Sequence, residues 1–249
     1  QSSKTHCMKI STYLLIGLLF LSLMACEQQV YEKPTAEEEL SKQLGGAVLW
    51  YQNAAEMQLS YHQSYAYAKL LLDRNLNKLA EGTNAAVVLD LDETVLDNSP
   101  YEGYLIRTGQ TYGSATWKVW TQKAKAELLP GAKNFIEYAM SKGVEVFYIS
   151  NRSVEVLAPT IENLKKHNLP NADSAYVLLK EETSNKSIRR DKVRETYEII
   201  VFIGDNLTDY QELYADRDEK MGKDLVDQNL EELLNNFVML PNPMYGEWE

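Results

Sequence analysis

Between Ala85 and Tyr101 the chain reads AAVVLDLDETVLDNSPY, an apolar run that stops abruptly in acid. Ala86-Val87-Val88-Leu89 contains two β-branched residues and nothing polar. That is the composition of a strand buried on both faces, as in a parallel sheet. Ligands of open α/β sheets bind outside the carboxyl ends of such strands, where Asp90-Leu91-Asp92-Glu93-Thr94 falls. Period-two geometry turns Asp90 and Asp92 to the same side. Two carboxylates so close repel unless a cation or a proton lies between them, so the pair points to a hard metal ion. Taken alone, a solvated acidic turn reads the same way, because Asp and Asn favour turns.

Other segments supply the rest of an α/β layout. Val144–Ile149, Ser174–Leu179 and Glu198–Ile203 are expected strands, with a short strand over Phe237–Leu240. Helices are expected over Ala36–Glu81 with a break at Gly45-Gly46, over Ala115–Leu128, Ala132–Ser141 and Val154–His167, and from near Asn206. In the first of these, Tyr61, Tyr65 and Tyr67 read as packing residues. Glu102–Gly113 reads as irregular because of its three glycines, and Lys180–Arg190 as a basic loop. Strands alternating with helices predict an α/β fold with a parallel sheet.

Residues 1–25 read as a leader. Gln1 to Cys7 precede Met8; Lys9 then gives a positive start, and Tyr13 to Met24 is twelve residues without charge, too short for a bilayer span. Leu23-Met24-Ala25-Cys26 resembles the lipobox of bacterial lipoproteins, which implies lipidation of Cys26, a tether over 26–35 and a bacterial cell-envelope location. The two cysteines are Cys7 and Cys26, so a processed chain can make no internal disulfide and must rely on a hydrophobic core. A formal charge of −11 with no basic stripe argues against nucleic acid as a partner.

Three strands end in polar groups: Asp90 and Asp92 on the first, Ser150 on the second, Asp205 and Asp209 on the fourth, with Lys186 in the intervening loop. This order resembles the haloacid dehalogenase (HAD) superfamily of phosphotransferases. DLDET, LDNSPY, SNR at Ser150–Arg152, Lys186 with Arg189, GDN followed by Asp209, and the tail from Met239 to Glu249 resemble the class C, lipid-anchored bacterial acid phosphatases. The resemblance implies a HAD-like Rossmannoid fold over 36–249. Its core runs from about residue 84, with a mainly helical N-terminal and cap region at about 36–82 and 102–130. It also implies Mg²⁺-dependent hydrolysis of a small phosphomonoester, a 5′-nucleotide or nicotinamide mononucleotide, and it allows a homodimer.

Under that resemblance Asp90 is the nucleophile that forms an aspartyl-phosphate, and Asp92 is the general acid and then the base. Mg²⁺ would lie between Asp90, the Asp92 backbone carbonyl and Asp205, and Asp209 would orient a metal water rather than ligate directly. Ser150 would bind a phosphate oxygen, although it also suits a helix N-cap before Val154. Lys186, preferred to Lys180 on the motif match, would neutralise phosphate and pair with Asp90. Tyr101, Trp117 and Tyr245 are the candidate stacking surfaces for a substrate base, with core packing equally open for the last two and favoured for Trp120. Only His62 and His167 would remain after processing, and neither sits in a motif, which argues against histidine-based phosphoryl transfer. A non-catalytic surface binding lipoprotein on the same scaffold is the alternative.

Overall fold

The apolar run before the acidic loop is β1, Ala85–Leu89, and every residue in it is buried. The computed structural model describes residues 44–217 and 220–248. The expected leader (1–25), the tether with Cys26 (26–35) and the start of the first helix (36–43) lie outside the described residues. β1 sits at the centre of a five-stranded sheet in the order β5-β4-β1-β6-β7, with β4 Glu145–Ser153, β5 Val177–Lys180, β6 Glu198–Gly204 and β7 Phe237–Met239. All four pairings are parallel.

The two faces of β1 explain its continuous apolarity. Ala85, Val87 and Leu89 join a cluster with Tyr61, Tyr65 and Leu72 of α2 (Ala55–Leu76) and Phe135 and Ile136 of α5 (Ala132–Ser141). Ala86 and Val88 meet Val193 of α7 (Ser187–Arg194) and Leu233 of α9 (Leu230–Asn236) on the other side. Each Val or Leu so buried contributes roughly 1.5–3 kcal/mol. α2 is therefore a layer of the core.

Several element boundaries differ from expectation. Gly45 and Gly46 open α1 (Gly45–Asn53), and a break follows at Ala54, whose backbone is extended; the part of the expected first helix before them lies outside the described residues. Glu102–Gly113 is mostly helical: α3 spans Ser99–Thr108, and Gly109 ends it with a left-handed φ of 64°. Glycine there terminates a helix rather than marking a loop. α4 is Ser114–Gln122, shorter than expected, because Ala124 takes a positive φ and Glu127–Leu128 becomes β3, antiparallel to β2 (Leu96–Asp97).

β4 runs on past Ser150, so Ser150 is a strand residue. The capping role falls to Ser153, whose side chain accepts from Glu155 N–H ahead of α6 (Leu157–Lys166). The expected helix near Asn206 is only a 3₁₀ turn over Leu207–Asp209, followed by a second over Glu212–Tyr214. A short helix α8, Lys223–Gln228, precedes α9.

Candidate active site

The carboxyl ends of β1, β4 and β6 deliver the polar groups to one place, because the three strands are adjacent and parallel. Oxygens of Asp90, Asp205 and Asp209 lie within 4.8 Å of one another. Burial is the largest influence on the first two. It pushes the Asp90 carboxyl up to about 7, with Lys186 opposing and Asp209 and Asp92 adding to the rise. Asp205 is held well above the usual carboxylate range by burial, then by Asp209 and Asp90. Gathering these acids is therefore costly without a compensating cation.

Part of the compensation is Lys186, itself buried. Its Nζ donates to Asp90 Oδ1 and, at 2.6 Å, to Asp209 Oδ1. Burial disfavours the ammonium, but Asp209 and Asp90 outweigh it and raise the lysine to about 12. It stays charged. Asp209 is also committed at its other oxygen, where Oδ2 accepts from Asn206 N–H at 2.9 Å in a capping box. Gly204 leaves room for that bend: a Cβ there would stand 2.1 Å from Asp209 Oδ2. Asp205 is held at both oxygens, by Thr94 Oγ1 at 3.3 Å and Asn242 Nδ2 at 2.8 Å.

Asp92 is surrounded by hydrogen-bond donors. Its Oδ1 accepts from Asn98 Nδ2 at 2.8 Å, Arg152 Nε at 2.9 Å and Arg152 Nη2 at 2.7 Å. Ser150 Oγ donates to its Oδ2 at 3.2 Å and accepts from Arg152 N–H. Asn98 also accepts from Trp120 Nε1 at 2.8 Å, so Trp120 combines packing with a polar anchor. Glu93, between Asp92 and Thr94, is buried with a left-handed φ of 54°. Its carboxyl accepts from Asn98 N–H at 2.7 Å.

Of the expected aromatics, Trp117 and Tyr101 are brought together, with ring centroids 5.1 Å apart. Tyr101 is only 2% exposed, bonds Thr116 and packs edge-on against Trp117. Arg152 lies over the Trp117 ring at 5.8 Å. Tyr245 is half-buried against the core in the tail, and among the described residues no ring contact joins it to Trp117. Sequence reasoning gave no part to Tyr112, which is 65% exposed with its ring centroid 6.3 Å from that of Trp117. It also gave none to Arg152, Asn98 or Asn242, although all three stood inside quoted motifs; Arg152 and Asn242 lie far in sequence from the acids they bond, and Asn98 reaches Asp92 across the turn after β1. Arg189 ties the site's edges together, donating to the Ser150 carbonyl at 2.6 Å and to Asn151 Oδ1 at 2.7 Å. A cleft of about 550 Å³ between α3 and α4, lined by Tyr104, Arg107, Val119 and Lys123 among others, includes none of the acids.

A family model described as HAD superfamily, subfamily IIIB (acid phosphatase) matches residues 4–248. The class C acid phosphatase from Bacillus anthracis is 41% identical, with a TM-score of 0.80, covering 84% of this chain and 88% of that one. The same enzyme solved with tungstate bound gives the same match. Among curated relatives, the stem 28 kDa glycoprotein of Glycine max is 29% identical over 132 residues, 49% of this chain and 51% of its own. Vegetative storage protein 1 of Arabidopsis thaliana is 27% identical over 194 residues, 74% of this chain and 61% of that protein. The chain spans about half the length of the stem glycoproteins it matches.

Proposed function

Because the chain belongs to the subfamily IIIB acid phosphatases of the HAD superfamily, we propose that it hydrolyses phosphomonoesters through an aspartyl-phosphate on Asp90. The observation that carries this reading is the acid triangle of Asp90, Asp205 and Asp209, with oxygens inside 4.8 Å and Lys186 bonded to two of them. The donor set is all oxygen, buried and anionic, which fits a hard divalent ion such as Mg²⁺. Asp90, Asp205 and the Asp92 carbonyl would hold it, with Asp209, bonded to Lys186 and Asn206 N–H, orienting a water. When bound, that ion would neutralise charge on the phosphoryl oxygens.

In the proposed first half-reaction an Asp90 oxygen bonds to phosphorus as the bond to the leaving alkoxide breaks. Asp92 gives its proton to that alkoxide. In the second, Asp92 takes a proton from water as the water attacks phosphorus and Asp90 is released. Arg152 and Asn98 hold the Asp92 carboxyl, and Lys186, bonded to Asp90, would neutralise charge on the phosphoryl oxygens. Ser150 would turn its hydroxyl from Asp92, 3.2 Å away, to a phosphate oxygen. The tungstate complex of the B. anthracis enzyme supports an oxyanion site in this fold. Trp117, flanked by Tyr101 and Tyr112, would stack on a nucleotide base or nicotinamide, with Tyr245 from the tail. Cys26 would carry the lipid that keeps the enzyme at the cell envelope.

The likeness to a protein named for storage supports a second reading, a scaffold retained without turnover. One assay separates the two. Hydrolysis of p-nitrophenyl phosphate, abolished by EDTA and restored by Mg²⁺, is expected for the enzyme; no hydrolysis with Mg²⁺ in excess ends the proposal.

A further inference from the structure

Two tyrosines on α2 are bonded to the backbone of the acidic loop. Tyr61 and Tyr65 stand one helical turn apart, on the same face, and are 0% and 2% exposed. Tyr61 Oη donates to the Glu93 carbonyl at 2.6 Å, lies 3.2 Å from the Pro241 carbonyl, and contacts Tyr51 Oη. Tyr65 Oη donates to the Thr94 carbonyl at 2.7 Å.

Those carbonyls flank the two groups that grip Asp205. Thr94 supplies the hydroxyl on Asp205 Oδ1, and Asn242, next to Pro241, supplies the amide on Oδ2. We infer that Tyr61 and Tyr65 are positioning residues for Asp205, setting its carboxylate through Thr94 and Asn242. The inference rests on the reading of Asp205 as a ligand of the divalent ion.

Shape alone does not ask for these hydroxyls. Phenylalanine would fill almost the same volume in the cluster that α2 shares with β1. What the hydroxyls add is a pair of donors to buried carbonyls in a loop that turns through a left-handed glutamate, a conformation that persists only where its surroundings enforce it. Burial holds both phenols well above their usual range, so the donors stay protonated. Tyr148 provides the comparison. It is equally buried, but its hydroxyl serves the Pro170 carbonyl, outside the loop.

The test is calorimetric titration of Mg²⁺ into the full chain without substrate, for wild type, Tyr61→Phe, Tyr65→Phe and Tyr148→Phe, alongside urea unfolding of each metal-free protein. Removing outer partners of metal ligands weakens affinity roughly 10–100-fold, and a loss at the lower end of that range is expected for Tyr61→Phe and Tyr65→Phe. Tyr148→Phe should lose comparable stability while its Mg²⁺ affinity stays within about twofold of wild type. Unchanged affinity in both loop-facing variants, or a loss matched by Tyr148→Phe, overturns the inference. If one of the two fails to fold, the other decides. Should wild type itself take up no Mg²⁺, the metal reading falls and this inference with it, an outcome distinct from a wild type that binds and variants that bind as well.

Discussion

Arg152 grips Asp92 through two nitrogens, with Nε 2.9 Å and Nη2 2.7 Å from the same carboxylate oxygen. The arginine side chain is 1% exposed and the aspartate 17%, so the pair lies at the inner wall of the site. The remaining guanidinium nitrogen reaches Thr160, and Asn98 lies 3.4 Å from Nη2. A fork held on every side fixes where the proposed proton carrier can point.

Arg152→Lys should therefore lower kcat of p-nitrophenyl phosphate hydrolysis by about tenfold or more, with KM little changed, because an ammonium cannot reproduce the fork and small misplacements of a catalytic group are costly. Steady-state kinetics reads both constants. A change confined to KM would contradict the assignment.

Lys186→Met should destabilise the metal-free protein by about 3–5 kcal/mol near neutral pH, since it strands Asp90 and Asp209 without their buried cation. Urea unfolding measures the loss, and Mg²⁺ should restore part of it. Stability equal to wild type would remove Lys186 from its role as the counter-ion.

Asp90→Asn should keep the fold and cut turnover by roughly 10⁴-fold or more, as loss of a nucleophile does elsewhere. The readout is residual hydrolysis alongside the thermal midpoint. Appreciable residual turnover in a folded variant would show that another group attacks phosphorus.

Gly204→Ala should disrupt the site although alanine is the smallest side chain that could be added. Its Cβ would stand 2.1 Å from Asp209 Oδ2, which lies on a short, packed turn. A loss of about 1–3 kcal/mol in stability, together with most of the activity, is expected. Intact activity would mean that Asp209 can move without consequence.

Trp117→Ala should raise KM for nucleoside monophosphates by the equivalent of about 1–3 kcal/mol and leave p-nitrophenyl phosphate less affected. Tyr245→Ala in the same panel separates a two-sided stack from a one-sided one: a nucleotide-selective KM effect places Tyr245 at the base, and equal effects on all substrates exclude it.

How far the sequence could be read follows from the range of each interaction. β1 and β6 were legible because uninterrupted apolar runs suit strands covered on both faces, and Asp90, Ser150 and Asp205 were legible as polar residues where such runs stop. Arg152 on Asp92 and Asn242 on Asp205 are side-chain pairings fixed by tertiary packing, and no local pattern encodes them. Gly103, Gly109 and Gly113 misled for a different reason. Three glycines in twelve residues read as irregular backbone, whereas Gly103 is carried inside α3 and Gly109 caps it. Near Asn206 the cap signal was real, but the Asp209 side chain folds back on it and the turn closes after three residues.

The grip on Asp205 comes from both ends of the core, Thr94 just after β1 and Asn242 after β7. β1 is the first of the sheet strands to be translated, and the segment bearing Asn242 follows the last. A nascent chain would therefore carry its carboxylates out of the ribosome well before the amide that orients one of them. A synthesis aborted shortly before residue 242 would carry every sheet strand but lack the amide that grips Asp205 Oδ2.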